Sequence, residues 1–380
     1  MSMSRRKTLA LLGGGVILAA GAGAATFAST RTPRAALAPW QAAGSYGDAR
    51  LDALSHAILA PNPHNQQPWL VELVGEDAFV LHVDREKLLP QTDPFDRQIT
   101  IGLGCFLEQM RIAASATGHR AVIEPFPAGE PDGRLDDRPV AHVRLETGAA
   151  RDPLFDAIPD RRSTKEPFDM TRTVTAEMLA PFTGGDGATD LRSTADPARV
   201  AAIRDLMWRA WLVEYETPAA WQESVDVMRF GRAEIEARPD GIDLGGAMME
   251  GLMLAGVIGP EQMADPTSQA YAVGIDMYRE MLAATPAALW LVTPGNSRLD
   301  QLQAGAAWLR LNLATTSAGM ALHPVSQALQ EYPEMEAIHA EAHAMLAPEG
   351  GVVQMLGRVG FADPVPQTPR WSLDAKLLST

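Results

Sequence analysis

A short segment at residues 161–165 reads Arg-Arg-Ser-Thr-Lys and brings three cations and two hydroxyls together. The planar fork of an arginine matches the oxygens of a phosphate, and Ser or Thr hydroxyls add short hydrogen bonds to the same group. In a chain that is otherwise strongly acidic, a small positive island attracts a small anion without attracting polyanions. The segment is therefore a candidate anion site. The alternative interpretation is a solvated basic turn.

A second segment, residues 60–69, reads APNPHNQQPW and is rich in prolines and amides. Proline fixes φ and removes a backbone donor, so this pattern predicts a rigid, extended loop whose backbone is not paired in a sheet. Such a loop presents His64, Asn65 and Gln67 in set directions, with donors and acceptors that suit the edge of a planar heterocycle. The alternative is a surface turn that leads into a strand at Trp69.

The composition limits which classes of protein are possible. The chain has 380 residues, 46% of them hydrophobic and 21% charged, which is typical of a globular protein with about two domains. A formal net charge of −15 argues against nucleic acid as a partner, because phosphate backbones require clustered Lys and Arg. The single cysteine, Cys105, excludes an internal disulfide and a Cys-based zinc site.

The pattern of apolar residues predicts mixed helices and strands, and hence an α+β sheet flanked by helices. A hairpin is expected over residues 69–83 and an amphipathic helix ending at Gly118. The remaining predicted elements are a helix at 51–59, a strand at 140–145, helices at 200–215 and 299–317, and strands at 288–293 and 352–359. Residues 216–269 are rich in Met and Gly and interrupt the pattern, as core filler or as a pliable lid.

The two segments together resemble the diagnostic motifs of the FMN-dependent nitroreductases. These motifs are PxxxNxQPW at residues 61–69 and RRSTK at residues 161–165, and the stretch from GRVG to PRW at residues 357–371 is similar to the carboxyl end of that family. The resemblance spans most of residues 50–375 and is weaker between 170 and 280. It implies a nitroreductase-like α+β fold with a central sheet flanked by helices.

The order of the motifs departs from the family. Ordinary members carry the Arg-Arg-Ser segment first, and two chains exchange parts to build two FMN sites per dimer. Here the order is reversed, the motifs are about a hundred residues apart, and each half retains what the other lacks. The resemblance therefore implies a fused pseudo-dimer with one FMN between its halves, similar to the Acg-like group. The expected halves are residues 51–150 and 151–380. The oligomeric state stays open, although fusion removes the family's reason to dimerise and is compatible with a monomer.

The resemblance also assigns roles to cationic residues. Arg161 and Ser163 would hold the ribityl chain and phosphate of FMN, with Arg370 as a further phosphate partner. Lys165 would lie near N1 and O2 of the flavin, where a positive charge stabilises the anionic reduced form.

The proline-rich loop would contact the ring from the opposite half through Pro63, His64 and Asn65. The flavin itself carries the redox chemistry, so no catalytic side chain is expected from the protein. No metal is expected either. His339 and His343 share a helix face, but Glu341 stands two residues after the first histidine rather than one, so this is not the zincin pattern.

The amino end predicts export. Residues 1–28 begin with Arg5-Arg6-Lys7 and continue as an uncharged, glycine-softened stretch, which resembles a twin-arginine signal read by the Tat machinery. The alternative is an uncleaved membrane anchor, which its five glycines disfavour. Residues 29–50 are expected to form a linker, and the mature protein is expected outside the cytoplasm without stable membrane insertion.

Two functions remain open at this point. The first is an FMN oxidoreductase that uses NAD(P)H, as in the family, to reduce a nitroaromatic, quinone or similar small-molecule acceptor. The second is a flavin-binding or sequestering protein whose ring is covered by residues 216–269. Export sharpens the choice, because an exported protein would meet little NAD(P)H and would need another electron donor for turnover.

Overall fold

The computed structural model describes Phe27 and residues 30–378. The predicted signal, residues 1–28, lies outside the described residues except for Phe27, so export stays a prediction. Among the residues that are described, no helix is both long and apolar enough to cross a membrane.

Strands and helices are mixed along the described chain, as the sequence pattern predicts. The strands are β1 (Trp69–Val74), β2 (Ala78–Val83), β3 (His119–Pro125), β4 (Ala141–Thr147), β5 (Gly184–Gly185), β6 (Asp190–Thr194), β7 (Met228–Phe230), β8 (Ile242–Leu244), β9 (Ala287–Thr293), β10 (Ala321–Pro324) and β11 (Val352–Gly360). The α-helices are α1 (Arg34–Ala42), α2 (Ala49–Ala57), α3 (Arg97–Ala116), α4 (Ala176–Leu179), α5 (Pro197–Glu216), α6 (Pro218–Asp226), α7 (Gly231–Ala237), α8 (Ala247–Leu254), α9 (Pro260–Ala264), α10 (Gln269–Ala283), α11 (Arg298–Ser317) and α12 (Glu336–Leu346). The predicted hairpin, long helices and strands are confirmed.

Two antiparallel sheets repeat one arrangement of strands. The first sheet has the order β1-β2-β4-β3, and the second has the order β5-β6-β9-β11-β10. From β6 onward the second sheet follows the order of the first, with β6, β9, β11 and β10 in the places of β1, β2, β4 and β3. A 20-residue helix precedes the last two strands of each set, α3 in the first half and α11 in the second. The predicted α+β class with two tandem halves is confirmed.

The two long helices cross in direct backbone contact. A Cβ atom on Gly104 of α3 would lie 2.2 Å from the carbonyl oxygen of Leu302, and one on Gly305 of α11 would lie 2.0 Å from that of Ile101. Only glycine, which lacks a Cβ, permits this approach. The contact is reciprocal, because 104 and 305 are separated by the same 201 positions as 101 and 302. Such reciprocity is the mark of a two-fold interface, here formed within one chain.

Each long helix begins with a buried arginine that is bonded in the opposite half. Arg97, the first residue of α3, donates to the carbonyl oxygen of Leu329 in the second half. Arg298, the first residue of α11, donates to the carbonyl oxygens of Phe95, at 2.7 Å, and Gly133 in the first half. Both guanidinium groups therefore donate to backbone oxygens of the opposite half, and they join the halves.

The second half differs from the first by a long insertion. Three residues join β1 to β2, whereas residues 195–286 join β6 to β9 and contain helices α5 to α10. Aromatic side chains of the insertion stack on one another. The ring centroid of Trp211 lies 4.4 Å from that of Tyr215 and 4.3 Å from that of Tyr278. The Met-rich stretch lies in this helical insertion.

Where we predicted a linker at residues 29–50, the structure has helix α1 and the start of α2. Trp40 and Ala36 on α1 are buried, and Asp48 caps α2 by accepting the backbone N–H of Arg50 and Leu51. The prediction missed α1 because Pro33 and Pro39 interrupt the local pattern. Burial of Trp40 against the rest of the fold, rather than local propensity, selects this helix.

Candidate functional site

The proline-rich loop has a strained backbone. His64, Asn65 and Gln67 adopt φ angles of 46°, 54° and 53°, the left-handed region that residues with a Cβ rarely occupy. Each such residue costs about 1–3 kcal/mol and persists only where the surroundings fix it. The loop is therefore held in one conformation by the elements around it. We predicted an extended loop, but Pro63–Asn65 form a turn of 3-10 helix, because these positive φ angles bend the chain.

Contacts from three other parts of the chain hold this loop. The side chain of Gln67 accepts the backbone N–H of Trp371 at 2.9 Å and donates to the carbonyl oxygen of Pro239 at 2.6 Å. The backbone N–H of Gln67 donates to the side-chain oxygen of Asn62 at 2.7 Å. Helix α3 approaches closely at Gly102, where a Cβ would lie 3.1 Å from Asn62. The loop thus joins the insertion, the carboxyl-terminal segment and the first long helix.

Asn65 of the loop binds Arg370 directly. Its side-chain oxygen accepts from Nη1 of Arg370, and its amide nitrogen donates to the carbonyl oxygen of Pro369 at 3.1 Å. The same Nη1 donates to the hydroxyl of Thr368 at 2.6 Å, and Nη2 donates to the carbonyl oxygen of Leu59 at 3.2 Å. Arg370 is consequently fixed against the loop, with its Nε buried and without a hydrogen-bond partner among the described residues.

Arg161 meets Arg370 at the same carbonyl. Its Nη2 donates to the oxygen of Leu59 at 3.3 Å, while its Nε and Nη1 are buried and have no partner in residues 30–378. Two guanidinium groups from distant parts of the chain therefore converge, and three of their nitrogens are unpaired within the described residues. The nearby charge of Asp243 acts against the repulsion between the two groups and favours the protonated form of Arg370. The predicted residues Arg161, Arg370 and Asn65 are brought together.

The charges of Arg161 and Arg370 favour the binding of an anion. Burial, followed by the charge of Arg162, lowers the pKa of Arg161 to about 10. Burial, followed by the charge of Arg161, lowers the pKa of Arg370 to about 9. Both groups remain protonated at neutral pH, and two adjacent buried cations are costly unless a negative group neutralises them. A phosphate offers both the charge and the acceptors for the three unpaired nitrogens.

Segment 161–165 has irregular backbone and is held against the second sheet. The N–H of Thr164 donates to the carbonyl oxygen of Leu322 at 3.0 Å. Arg358 of β11 donates to the carbonyl oxygens of Thr164 and Glu166, and its guanidinium lies 4.1 Å from the ring centroid of Phe168. In the sequence, Arg358 stands out only as part of the GRVG motif, because its role in positioning this segment depends on contacts across almost two hundred residues.

The remaining predicted residues lie around this centre. His64 is half-buried, and its Nδ1 is buried without a hydrogen-bond partner among the described residues. Burial, followed by the charge of Lys165, lowers the pKa of His64 to about 4, so the ring is neutral at pH 7. Lys165 is exposed, Ser163 is half-buried, and Pro63 packs 3.1 Å from the Cβ position of Gly102. The loop of the first half and segment 161–165 of the second therefore approach each other.

On α12, His343 forms hydrogen bonds within the fold. The Nδ1 of His343 is bonded to the carbonyl oxygen of His339 at 2.9 Å, and its Nε2 accepts the backbone N–H of Val353 at 3.1 Å. Both nitrogens of His343 are thus used within the helix and the adjacent strand.

Comparison with known proteins finds relatives that are named as nitroreductases. No protein-family profile matches the chain. A Mycobacterium tuberculosis (strain ATCC 25618 / H37Rv) protein named "Putative NAD(P)H nitroreductase Rv3131" is 27% identical over 339 residues, which is 84% of this chain and 88% of that protein. The chain is similar to this nitroreductase over most of its length. A second protein of that strain, "Putative NAD(P)H nitroreductase acg", is 37% identical over 81 residues, or 21% of this chain and 24% of that one.

Several of the solved structures that match are of nitroreductases. The FMN-dependent nitroreductase NfnB from Mycobacterium smegmatis, solved in complex with NADPH, is 16% identical with a TM-score of 0.36. The match covers 59% of this chain and 96% of that one.

Proposed function

We propose that the chain is an FMN-dependent oxidoreductase of nitroreductase type, which uses NAD(P)H to reduce a nitroaromatic, quinone or similar small acceptor. The observation that carries the proposal is the convergence of Arg161 and Arg370, with three buried guanidinium nitrogens unpaired in the described chain. The names of the mycobacterial relatives support the nitroreductase type and the nicotinamide donor.

Phosphate binding is the part of the proposal that the two arginines support. Arg161 and Arg370 would hold the phosphate of FMN, and the hydroxyl of Ser163 would add a hydrogen bond to the phosphate or the ribityl chain. A terminal phosphate matches the site better than a carboxylate, because three guanidinium nitrogens need three acceptor directions.

The ring would lie toward His64 and Lys165. When bound, FMN supplies hydride and electron transfer, so the chain contributes binding, orientation and charge. Lys165 would place its ammonium near N1 and O2 of the ring, where it stabilises negative charge in the reduced form. The neutral ring of His64 and the pyrrolidine of Pro63 would contact the flavin from the opposite half. Asn65 already bonds to Arg370 and Pro369, so we propose that its main part is to hold Arg370.

One flavin per chain is the expected stoichiometry of a fused pseudo-dimer related to the Acg group. The two long helices meet through the reciprocal contacts of Gly104 and Gly305, as two subunits would. However, only the first half carries the PxxxNxQPW loop and only the second carries the RRSTK segment. A chain that completes one site by itself needs no partner subunit, and we propose that it acts as a monomer.

Flavin binding by arginine variants tests this function. Wild-type protein, Arg161→Gln and Arg370→Gln are titrated with FMN and with riboflavin, which lacks the phosphate, and bound flavin is followed by fluorescence quenching. We expect the wild type to prefer FMN strongly and each variant to lose at least about tenfold in FMN affinity, since hydrogen bonds to charged groups contribute about 1.5–3 kcal/mol. Riboflavin affinity should change little, which also shows that the variants are folded. Arg279→Gln, which removes an exposed arginine paired with Asp276, is the control. A wild type that binds neither flavin would overturn the proposal.

A further inference from the structure

The segment at residues 30–42, here called the amino-terminal strap, is bonded to the insertion of the second half. Arg31 forms an ion pair with Glu250 at 2.9 Å, and Nη1 of Arg232 donates to the carbonyl oxygen of Thr30 at 2.8 Å. Glu250 also accepts the backbone N–H of Arg232 at 2.9 Å. The start of the strap is therefore fixed on helices α7 and α8.

The other end of the strap is bonded to the residues that hold the phosphate site. The indole N–H of Trp40 donates to the carbonyl oxygen of Thr368 at 2.8 Å. The backbone N–H of Arg370 donates to the carbonyl oxygen of Ala36 at 2.8 Å. The hydroxyl of Thr368 in turn accepts from the guanidinium of Arg370 at 2.6 Å. The strap thus fixes both the main chain and, through Thr368, the side chain of Arg370.

Trp40 also lies against two arginines of the cationic site. The guanidinium of Arg162 is 4.8 Å from the centroid of its ring, and that of Arg370 is 5.7 Å away. The face of an indole attracts a cation, and this attraction is strongest where water is excluded. Trp40 is only 8% exposed. Its ring therefore offsets part of the repulsion among Arg161, Arg162 and Arg370 and limits the directions in which Arg370 can turn.

We propose that Trp40 is a positioning residue that gives the site its preference for a phosphorylated flavin. This inference rests on the proposed function, because it assigns the phosphate of FMN to Arg161 and Arg370. Trp40 acts on the phosphate through Arg370 and Arg162, so its removal weakens binding of FMN much more than binding of riboflavin. A role in packing alone would weaken both flavins to the same extent.

The test compares Trp40→Ala and Trp40→Phe with the wild type in the full chain, using FMN and riboflavin as ligands. We expect Trp40→Ala to weaken FMN binding by about tenfold, consistent with the loss of two desolvated cation–π contacts. Riboflavin binding should change by less than about threefold, close to measurement error on this scale. Trp40→Phe keeps an aromatic face but loses the indole N–H, so it should fall between the wild type and Trp40→Ala.

A matched control is Trp208→Ala on helix α5. This variant also removes a tryptophan from beneath an arginine, since the guanidinium of Arg279 lies 5.0 Å from the centroid of the Trp208 ring. It should leave the affinities for both flavins unchanged. The inference is overturned if Trp40→Ala weakens FMN and riboflavin equally, or weakens neither, while the wild type binds FMN. A wild type that binds neither flavin refutes the proposed function itself, so the two failures are distinguishable.

Discussion

Arg161 and Arg370 donate to one backbone oxygen, the carbonyl of Leu59, at 3.3 and 3.2 Å. The first half supplies the carbonyl, and the second half supplies one arginine from its start and the other from its end. Two like charges therefore lie close together in a buried position. Three nitrogens of the two guanidinium groups have no hydrogen-bond partner in the described chain. The arrangement is costly without a ligand and favourable with an anion, which is the property expected of a binding site.

The first prediction concerns the unliganded protein and inorganic phosphate. Because phosphate binds the folded site and not the unfolded chain, it should raise Tm, with a stabilisation of about 2.7 kcal/mol at one hundred times its Kd. Arg370→Gln should abolish the increase, whereas Arg279→Gln should retain it. Thermal unfolding is measured in phosphate and in chloride at equal ionic strength. An equal increase in Tm for the wild type and Arg370→Gln would contradict the assignment of the site.

A second prediction concerns the crossing of α3 and α11. Gly104→Ala places a Cβ 2.2 Å from the carbonyl oxygen of Leu302, so the helices must separate. We expect the free energy of unfolding in urea to fall by about 3 kcal/mol or more, because overpacking that moves backbone is at the upper end of such costs. Gly251→Ala on helix α8 is the control, since its Cβ would meet no atom within 4 Å. That variant should be neutral or slightly stabilising.

The third prediction is a pH dependence that arises from His64. Its pKa is about 4 in the folded protein because of burial and the charge of Lys165, against 6.5 in the unfolded chain. The unfolded state therefore takes up a proton first as the pH falls, and stability is lost between pH 6.5 and pH 4, by about 3 kcal/mol in full. His64→Gln should lack this part of the loss.

Two variants sharpen the measurement of that pH dependence. The free energy of unfolding is determined at several pH values from 7 to 4 for the wild type, His64→Gln and Lys165→Met. Removing the charge of Lys165 raises the pKa of His64, so Lys165→Met should lose less stability than the wild type over the same range. An unchanged slope in His64→Gln would show that other groups account for it.

The fourth prediction concerns the strained loop. Gln67→Ala leaves the backbone N–H of Trp371 and the carbonyl oxygen of Pro239 without their partner, which should lower the free energy of unfolding by about 2–4 kcal/mol. Gln66→Ala is a matched control, because Gln66 is buried next to it but its amide nitrogen has no partner among the described residues. That variant should cost less. FMN affinity should fall with Gln67→Ala, since the loop positions Asn65 and hence Arg370.

Local patterns were sufficient to predict the first hairpin, the long helices and the two motifs, but not helix α1 or how the motifs meet. The hairpin of β1 and β2 and the helices α3 and α11 follow from apolar spacing, which is a property of short stretches. The meeting of Arg161 with Arg370 depends on where the chain returns after two hundred residues, and no local pattern encodes that. Resemblance to a family, rather than physical reasoning, supplied the expectation that Arg370 belongs to the site.

The position of Trp40 is the clearest case of a structural feature that the sequence does not predict. Its surroundings in sequence, rich in Pro and Ala, predicted a linker, yet it lies in a buried helix against Arg162 and Arg370. Tertiary contacts override weak local propensity in such segments. A lone tryptophan four residues after Ala36 was the available signal, because a large aromatic side chain is seldom left exposed in a linker.

The central claim is that this chain holds one FMN, and the amount of flavin bound to the purified full chain after incubation with excess FMN tests it most directly. Unbound flavin is removed by gel filtration, and the absorbance of the flavin released by denaturation is compared with the protein concentration. The account predicts about one FMN per chain, as a site built from both halves requires, and prompt bleaching of the bound flavin by NADPH without oxygen. A protein that emerges without flavin after such incubation would contradict the account.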